Sequence, residues 1–87
     1  MMTESITLDS LSRLRWQCRR GMLELDLILN AFMDRGFDAL DNEQKNIFKQ
    51  ILDYPDQLLF DLLLDQMKSS DREVASLVTH IRNTIRN

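Results

Sequence analysis

The sequence predicts an all-α protein, a compact bundle of about five short helices. Apolar residues recur at spacings of three and four along most of the chain, which is the period of an α-helix. No segment alternates convincingly between polar and apolar residues. The 87 residues include only two glycines and one proline, whereas a β-sandwich needs a turn signal roughly every 8–12 residues. We expect residues 1–87 to form a single domain, as is usual at this length.

The first two helices are predicted from about Asp9 to Arg19 and from about Met22 to Asp34. The second has an apolar stripe that marks its buried side. This stripe consists of Met22, Leu25, Ile28, Leu29, Phe32 and Met33. Gly36 follows the end of the second helix, where a residue with left-handed backbone is common.

The last three helices are predicted from their starting signals. Asp41 and Gln44 have the spacing of a capping box, which places the start of the third helix at Asp41. Pro55 suits the first position of the fourth helix, since a proline needs no N–H partner there. Ser70 and Glu73 have the same capping spacing and predict the start of the fifth helix.

The composition is that of an ordinary soluble protein. The formal net charge is −3, with 44% apolar and 29% charged residues, and this acidic balance argues against nucleic-acid binding. Cys18 is the only cysteine, so no internal disulfide can form, which fits a reducing compartment. The start of the chain, Met1–Ser5, is polar, and no signal peptide or membrane span is recognised. We therefore expect a cytoplasmic protein without membrane insertion.

The most informative segment runs from Trp16 to Asp26, because it places Gly21 between two predicted helices. A glycine inside a helix costs roughly 1 kcal/mol relative to alanine, so its presence here predicts a bend or a close approach by another surface. Arg20 and Glu24 are four residues apart and would share a face if the helix continued through the glycine. The sequence thus predicts a charged bend as the functional region.

Several charged and aromatic residues near this bend allow two interpretations each. The arginines are either a solvated helix face or a patch for an acidic partner or a phosphate-bearing cofactor. The acids are either solvated or bind basic residues of a partner. Trp16 either completes the core or is a surface anchor of the kind common in protein interfaces. The arginines are Arg13, Arg15, Arg19 and Arg20, and the acids are Asp53, Asp56, Asp61 and Asp65.

Signatures of catalysis and metal binding are missing from the sequence. His80 is the only histidine, and we interpret it as a surface or half-buried helix residue. We interpret Cys18 as a small core residue, since free cysteines are among the most buried residue types. No acid–base or nucleophile arrangement can be recognised, so we expect neither an enzyme nor a metal site.

The segment Trp16-x-Cys18-Arg19-Arg20-Gly21-Met22-x-Glu24-Leu25-Asp26 resembles the signature of the small FAD assembly factors of succinate dehydrogenase. The resemblance covers nearly the whole chain and implies a short helical bundle. Arg20, Gly21 and Glu24 match the Arg-Gly-x-x-Glu motif of that family. A departure lies around Pro55 and Leu62, where family members commonly have a run of acids and a tryptophan.

The resemblance implies a protein that binds the flavoprotein subunit of succinate dehydrogenase, and often that of fumarate reductase. Such proteins promote covalent attachment of FAD to a histidine of the subunit, without stably binding a cofactor themselves. We expect a close approach of the partner at Gly21 and charge-assisted bonds from Arg20 and Glu24. The full set of predicted partner-binding residues is Arg15, Trp16, Arg19, Arg20, Gly21, Met22, Glu24, Asp26, Asp53 and Asp56.

Two other functions remain open at this point. The first is a small helical regulator, such as the antitoxin of a toxin–antitoxin pair. The second is nucleic-acid binding through the arginines, which would show a steep dependence on salt concentration. A monomer and a weak homodimer are both compatible with the sequence.

Overall fold

The computed structural model describes residues 8–65 and 67–86. Five α-helices and no strand occur in this part of the chain, which confirms the predicted all-α class. The polar start, Met1–Ser5, lies outside the described residues. The helices are α1 (Leu8–Gln17), α2 (Leu23–Arg35), α3 (Asn42–Ile51), α4 (Asp56–Leu63) and α5 (Arg72–Arg86), and a 3₁₀ turn (Phe37–Ala39) follows α2.

The last helix, α5, is the central packing element. It contacts α2, α3 and α4, and it has an apolar stripe along one side. The side chains of this stripe are Val74, Leu77, Val78 and Ile81, all of which are buried. No polar or charged side chain is buried in the described ranges. The bundle is therefore held together mainly by apolar burial, since helices this short are marginal in isolation.

An aromatic cluster joins α2, the 3₁₀ turn and α3. The ring centroids of Phe32 and Phe48 lie 5.5 Å apart, and Phe37 lies 5.5 Å from Phe48. Gly36 borders this cluster with φ −132°, so the predicted left-handed conformation is wrong. A Cβ built on Gly36 would lie 2.6 Å from Cε1 of Phe32 and 3.1 Å from a methyl group of Thr84. Lack of space, and not backbone conformation, requires glycine here.

The predicted capping box of α3 is confirmed. Asp41 Oδ1 accepts from the Gln44 N–H at 2.8 Å, and Gln44 Oε1 accepts from the Asp41 N–H at 3.0 Å. Pro55 is not the first residue of α4 but immediately precedes it in extended conformation. Since the residue before the helix also needs no N–H partner within it, proline is equally suited to that position.

The predicted cap of α5 at Ser70 is wrong by one residue. The Asp71 carboxylate accepts from the backbone N–H of Glu73 at 2.9 Å and from that of Val74 at 3.2 Å. The helix begins at Arg72, which leaves Asp71 in the capping position. Ser69 supports this turn instead, because its hydroxyl accepts from the Asp71 N–H at 3.1 Å.

No helix in residues 8–65 and 67–86 has the length and apolar character needed to span a membrane.

Candidate protein-docking site

A short corner, residues 18–22, connects α1 to α2. Helix α1 ends at Gln17, two residues earlier than predicted, because the Cys18 N–H bonds both the Leu14 and Arg15 carbonyls at 3.1 Å. The next N–H, that of Arg19, bonds the Trp16 carbonyl at 3.0 Å and tightens the turn. The helix therefore ends before Gly21, which is consistent with the bend predicted there.

Gly21 has φ +81°, the only positive φ recorded for a glycine in the described residues. Glycine adopts this left-handed region without a steric penalty, whereas other L-residues do so at a cost. A Cβ built on Gly21 would meet no heavy atom of residues 8–65 and 67–86 within 4 Å. The residue is exposed, so the chain leaves open space beside it that a partner can occupy.

The Asp26 carboxylate holds the corner from the first half of α2. Its Oδ1 accepts from the Arg20 N–H at 2.6 Å, and its Oδ2 lies 3.3 Å from the donating Gly21 N–H. Two consecutive backbone donors thus bind one half-buried carboxylate. Asp26, a predicted partner-binding residue, is engaged within the chain and fixes the conformation of the corner.

The Arg20 side chain joins the corner to the segment between α3 and α4. One terminal nitrogen donates to the Tyr54 carbonyl at 2.7 Å and the other to the Gln17 carbonyl at 2.9 Å. Its Nε lies 3.0 Å from Asp56 Oδ1 in an ion pair, and the Arg20 side chain is only 12% exposed. Arg20 and Asp56 therefore bind each other, and Arg20 does not share an exposed helix face with Glu24.

Large apolar side chains are exposed beside the corner. Trp16 on α1 is 70% exposed, and Leu23 and Leu27 on α2 are 74% and 62% exposed. Trp16 therefore lies on the surface and does not complete the core. The Arg19 guanidinium lies 6.0 Å from the Trp16 ring centroid, within the outer range of a cation–π contact.

A groove lies between α1 and α2 on this side of the protein. Asn30 lines it together with Trp16 and Arg19, and Asn30 follows Leu23 and Leu27 at helical spacing on one side of α2. We define the docking face by six exposed residues. They are Trp16, Arg19, Gly21, Leu23, Glu24 and Leu27.

The other predicted site residues lie around this face. Glu24 is exposed, and its carboxylate forms no ion pair within the described ranges. Met22 is half-buried and packs against the core, while Arg15 forms an ion pair with Asp34 on α2. Asp53 is exposed at the end of α3 and, unlike Asp56, has no ion-pair partner among the described residues.

Sequence reasoning missed Leu23, Leu27 and the carbonyl of Tyr54. The two leucines lie outside the buried stripe of α2 at a spacing of four, and this signal could have identified them. The role of the Tyr54 carbonyl leaves no mark in the sequence, because any residue supplies a backbone acceptor.

Cys18 is fully buried beneath the corner, as predicted. Burial raises the pKa of its thiol from 9.0 to about 11, although the nearby charges of Arg15 and Arg20 lower it. The thiol is therefore protonated at neutral pH and poorly nucleophilic. His80 is exposed on α5, and its ring packs edge-on against Phe32 at 6.0 Å. No cluster of potential metal ligands occurs among the described residues.

The fold is a small helical bundle with an exposed apolar and charged face around a glycine corner, a surface suited to binding another protein. The sequence model of a family described as "flavinator of succinate dehydrogenase" matches residues 12–85. The chain belongs to this family.

Curated relatives support this assignment. The chain is 43% identical to the FAD assembly factor SdhE of Coxiella burnetii over 70 residues, which cover 80% of this chain and 85% of the relative. It is 45% identical to the FAD assembly factor SdhE of Haemophilus influenzae over 71 residues, which cover 82% and 84% of the two chains. Identity to the FAD assembly factor SdhE of Idiomarina loihiensis is 38% over 74 residues, or 85% and 82% of the two chains.

Proposed function

We propose that this chain is an FAD assembly factor that binds the flavoprotein subunit of succinate dehydrogenase and promotes covalent attachment of FAD to it. The observation that carries the proposal is the family match over residues 12–85, which includes the whole corner. The docking face adds physical support, because it offers tryptophan, arginine and leucine side chains for protein contact. Tryptophan and arginine are enriched among the residues that dominate binding energy.

The docking face acts by binding, and the reacting groups belong to the client. The client supplies the histidine and the FAD, and this chain works as a chaperone that binds no cofactor stably. A partner backbone approaches Gly21, where the chain has no side chain. Docking stabilises the client conformation in which its histidine and flavin are aligned. To bring such a conformation from 1% to 99% of the population, the chain must favour it by about 5.5 kcal/mol.

The internal engagement of the corner refines the roles expected from the motif. Glu24 and Gly21 lie on the docking face and are available to a client. Arg20 and Asp26 bind groups of their own chain, so they shape the face rather than extend from it. Arg19 beside Trp16 provides the positive charge of the face.

The proposal includes the flavoprotein subunit of fumarate reductase as a second client. We place the protein in the cytoplasm as a monomer or a weak homodimer. The exposed apolar side chains of the docking face support weak self-association in the absence of a client. Size-exclusion chromatography coupled to light scattering would then show a concentration-dependent dimer that dissociates when the flavoprotein subunit is added.

The alternatives have less support. The relatives named above are FAD assembly factors, and none of the comparisons favours an antitoxin. Two of the four arginines around the bend are paired, Arg15 with Asp34 and Arg20 with Asp56. This pairing reduces the free positive charge that nucleic-acid binding would need.

Reconstitution with purified components tests the proposal. The flavoprotein subunit is produced in cells lacking this protein and incubated with FAD, with and without the purified chain. Covalent flavin is then followed as fluorescence of the denatured subunit in a gel. We expect the chain to accelerate the appearance of this fluorescence. Equal rates with the chain and with an equal amount of serum albumin would contradict the proposal.

A further inference from the structure

Two carboxylates bind the corner, and one of them comes from a distant part of the chain. Asp26 on α2 binds the backbone of the corner. Asp56, the first residue of α4, binds the Arg20 side chain. Arg20 and Asp56 are 36 positions apart in the sequence, and their ion pair thus connects α4 to the corner beside the docking face.

Three segments meet at the Arg20 guanidinium. It bonds the last carbonyl of α1 at Gln17, the carbonyl of Tyr54 and the carboxylate of Asp56. The Nε atom itself is inaccessible to solvent and has no hydrogen bond of good geometry with a described residue, so the negative charge of Asp56 is its compensation. A positive charge with so little exposure is unfavourable without such compensation, so loss of the Asp56 charge would loosen the contact between the corner and α4.

Resting on the proposed function, we propose that Asp56 is a positioning residue for client docking. Through Arg20 it holds the corner in the conformation that places Gly21 and its neighbours for contact with the flavoprotein subunit. Asp56 does this from outside the motif and without touching the client. Helix α4 therefore contributes to docking although it carries none of the docking face.

The neighbouring acid Asp53 provides a matched control. The sequence also predicted it to bind the partner, but it lies outside the docking face and forms no ion pair with any described residue. Asp53 lies between α3 and α4 and Asp56 at the start of α4; both are exposed acids, and replacing either with asparagine removes one negative charge. Only Asp56 pairs with Arg20. A direct electrostatic contribution to client binding would involve both carboxylates, whereas positioning through Arg20 requires Asp56 alone.

The first experiment measures the corner without a client. Amide hydrogen exchange is followed by NMR in the wild type, Asp56→Asn and Asp53→Asn. Because the Arg20 and Gly21 N–H groups are bonded to Asp26, we expect protection that falls severalfold in Asp56→Asn and is unchanged in Asp53→Asn. Equal protection at these two amides in all three proteins would overturn the inference.

The second experiment measures the Kd for the purified flavoprotein subunit. We expect Asp56→Asn to weaken binding about fivefold and Asp53→Asn by less than about twofold. In an Arg20→Gln background, Asp56→Asn should have no further effect, because it acts through Arg20. If both asparagine variants weakened binding equally, Asp56 would not act through Arg20. The same would follow if Asp56→Asn kept its full effect in the Arg20→Gln background.

A third variant separates positioning from general loss of stability. Ile81→Val shortens a fully buried side chain of α5, far along the chain from the corner, and lowers the melting temperature. If binding is measured well below the melting temperatures, we expect Ile81→Val to bind like the wild type. If Ile81→Val weakened binding in proportion to the fall in its melting temperature, loss of stability alone would explain the effect of Asp56→Asn. Asp56 would then be only a structural residue. Unchanged amide exchange at the corner in Asp56→Asn would refute the positioning role but not the proposed function. If the wild type did not bind the flavoprotein subunit, the proposed function itself would be refuted.

Discussion

At the scale of single residues, the two glycines are required for different physical reasons. Gly21 has a positive φ in open space, whereas Gly36 has an ordinary φ in a crowded site. The first glycine is needed for its backbone conformation and the second for its missing Cβ. Only Gly21 is exposed, so only Gly21 belongs to the docking face.

This difference predicts opposite responses to asparagine and alanine. At Gly21 we expect alanine to lower the free energy of unfolding by about 1–2 kcal/mol, and asparagine by less, since asparagine tolerates left-handed backbone. At Gly36 we expect alanine to lower it by about 1–3 kcal/mol through overpacking, and asparagine by more. Urea unfolding followed by circular dichroism measures all four variants. The same order of alanine and asparagine at both positions would contradict this explanation.

The buried thiol of Cys18 predicts how stability depends on alkaline pH. Burial raises its pKa from 9.0 to about 11, so the unfolded chain loses this proton at a lower pH than the folded chain. The contribution of Cys18 to stability is therefore complete below pH 9 and is lost as the pH rises from about 9 to 11. Urea unfolding at several pH values tests this, with Cys18→Ala as the control. A steeper decline in Cys18→Ala than in the wild type would contradict the sign.

At the scale of secondary structure, the cap of α5 provides a direct test of the corrected helix start. Asp71→Ala removes an acceptor for two backbone N–H groups and should lower the free energy of unfolding by about 1 kcal/mol. Ser70→Ala, at the residue predicted from sequence, should change it by less than about 0.5 kcal/mol. Urea unfolding of both variants decides between the two caps. A larger effect at Ser70 would restore the original prediction.

The exposed side of α2 predicts a variant that loses binding without losing stability. Leu27→Lys places a charge in the apolar part of the docking face, and we expect it to weaken binding of the flavoprotein subunit at least about tenfold. Met67→Lys is the control, since Met67 is also exposed but lies between α4 and α5. Isothermal titration calorimetry gives both affinities. Equal affinities of the two variants would exclude this side of α2 from the interface.

Helix identity was predictable here because each helix has a periodic apolar stripe, and α5 is the clearest example. The Asp41 cap was also predictable, since both of its bonds lie within four residues. The conformation of Gly36 was not, because it depends on how Phe32 and Thr84 pack in the folded chain. The site was predictable in part: the motif located the corner, but the orientation of Arg20 depends on Tyr54 and Asp56, which are distant in sequence.

At the scale of the whole molecule, the proposed docking face and the core that supports it are separate. Helices α1 and α2 carry the docking face, while α5 organises the core behind them. The segment between α3 and α4 contacts the corner through a single guanidinium. Because the core of the described part of the chain contains only apolar side chains, the charged residues lie at the surface or, like Arg20, partly buried in the corner.

The central claim is that the open space beside Gly21 is where a client docks. The most direct measurement is covalent flavin on the flavoprotein subunit, read as in-gel fluorescence, in cells lacking this protein. The cells are complemented with the wild type, Gly21→Asn or Gly21→Arg, and folding of each variant is checked by circular dichroism. The arginine side chain would project from the docking face, since none of the described residues lies within 4 Å of its Cβ position.

We predict that the wild type restores the fluorescence and that a folded Gly21→Arg does not, with Gly21→Asn restoring more than Gly21→Arg. Full restoration by a folded Gly21→Arg would contradict the docking role of the corner. Unchanged fluorescence in cells lacking the protein would contradict the assembly function itself.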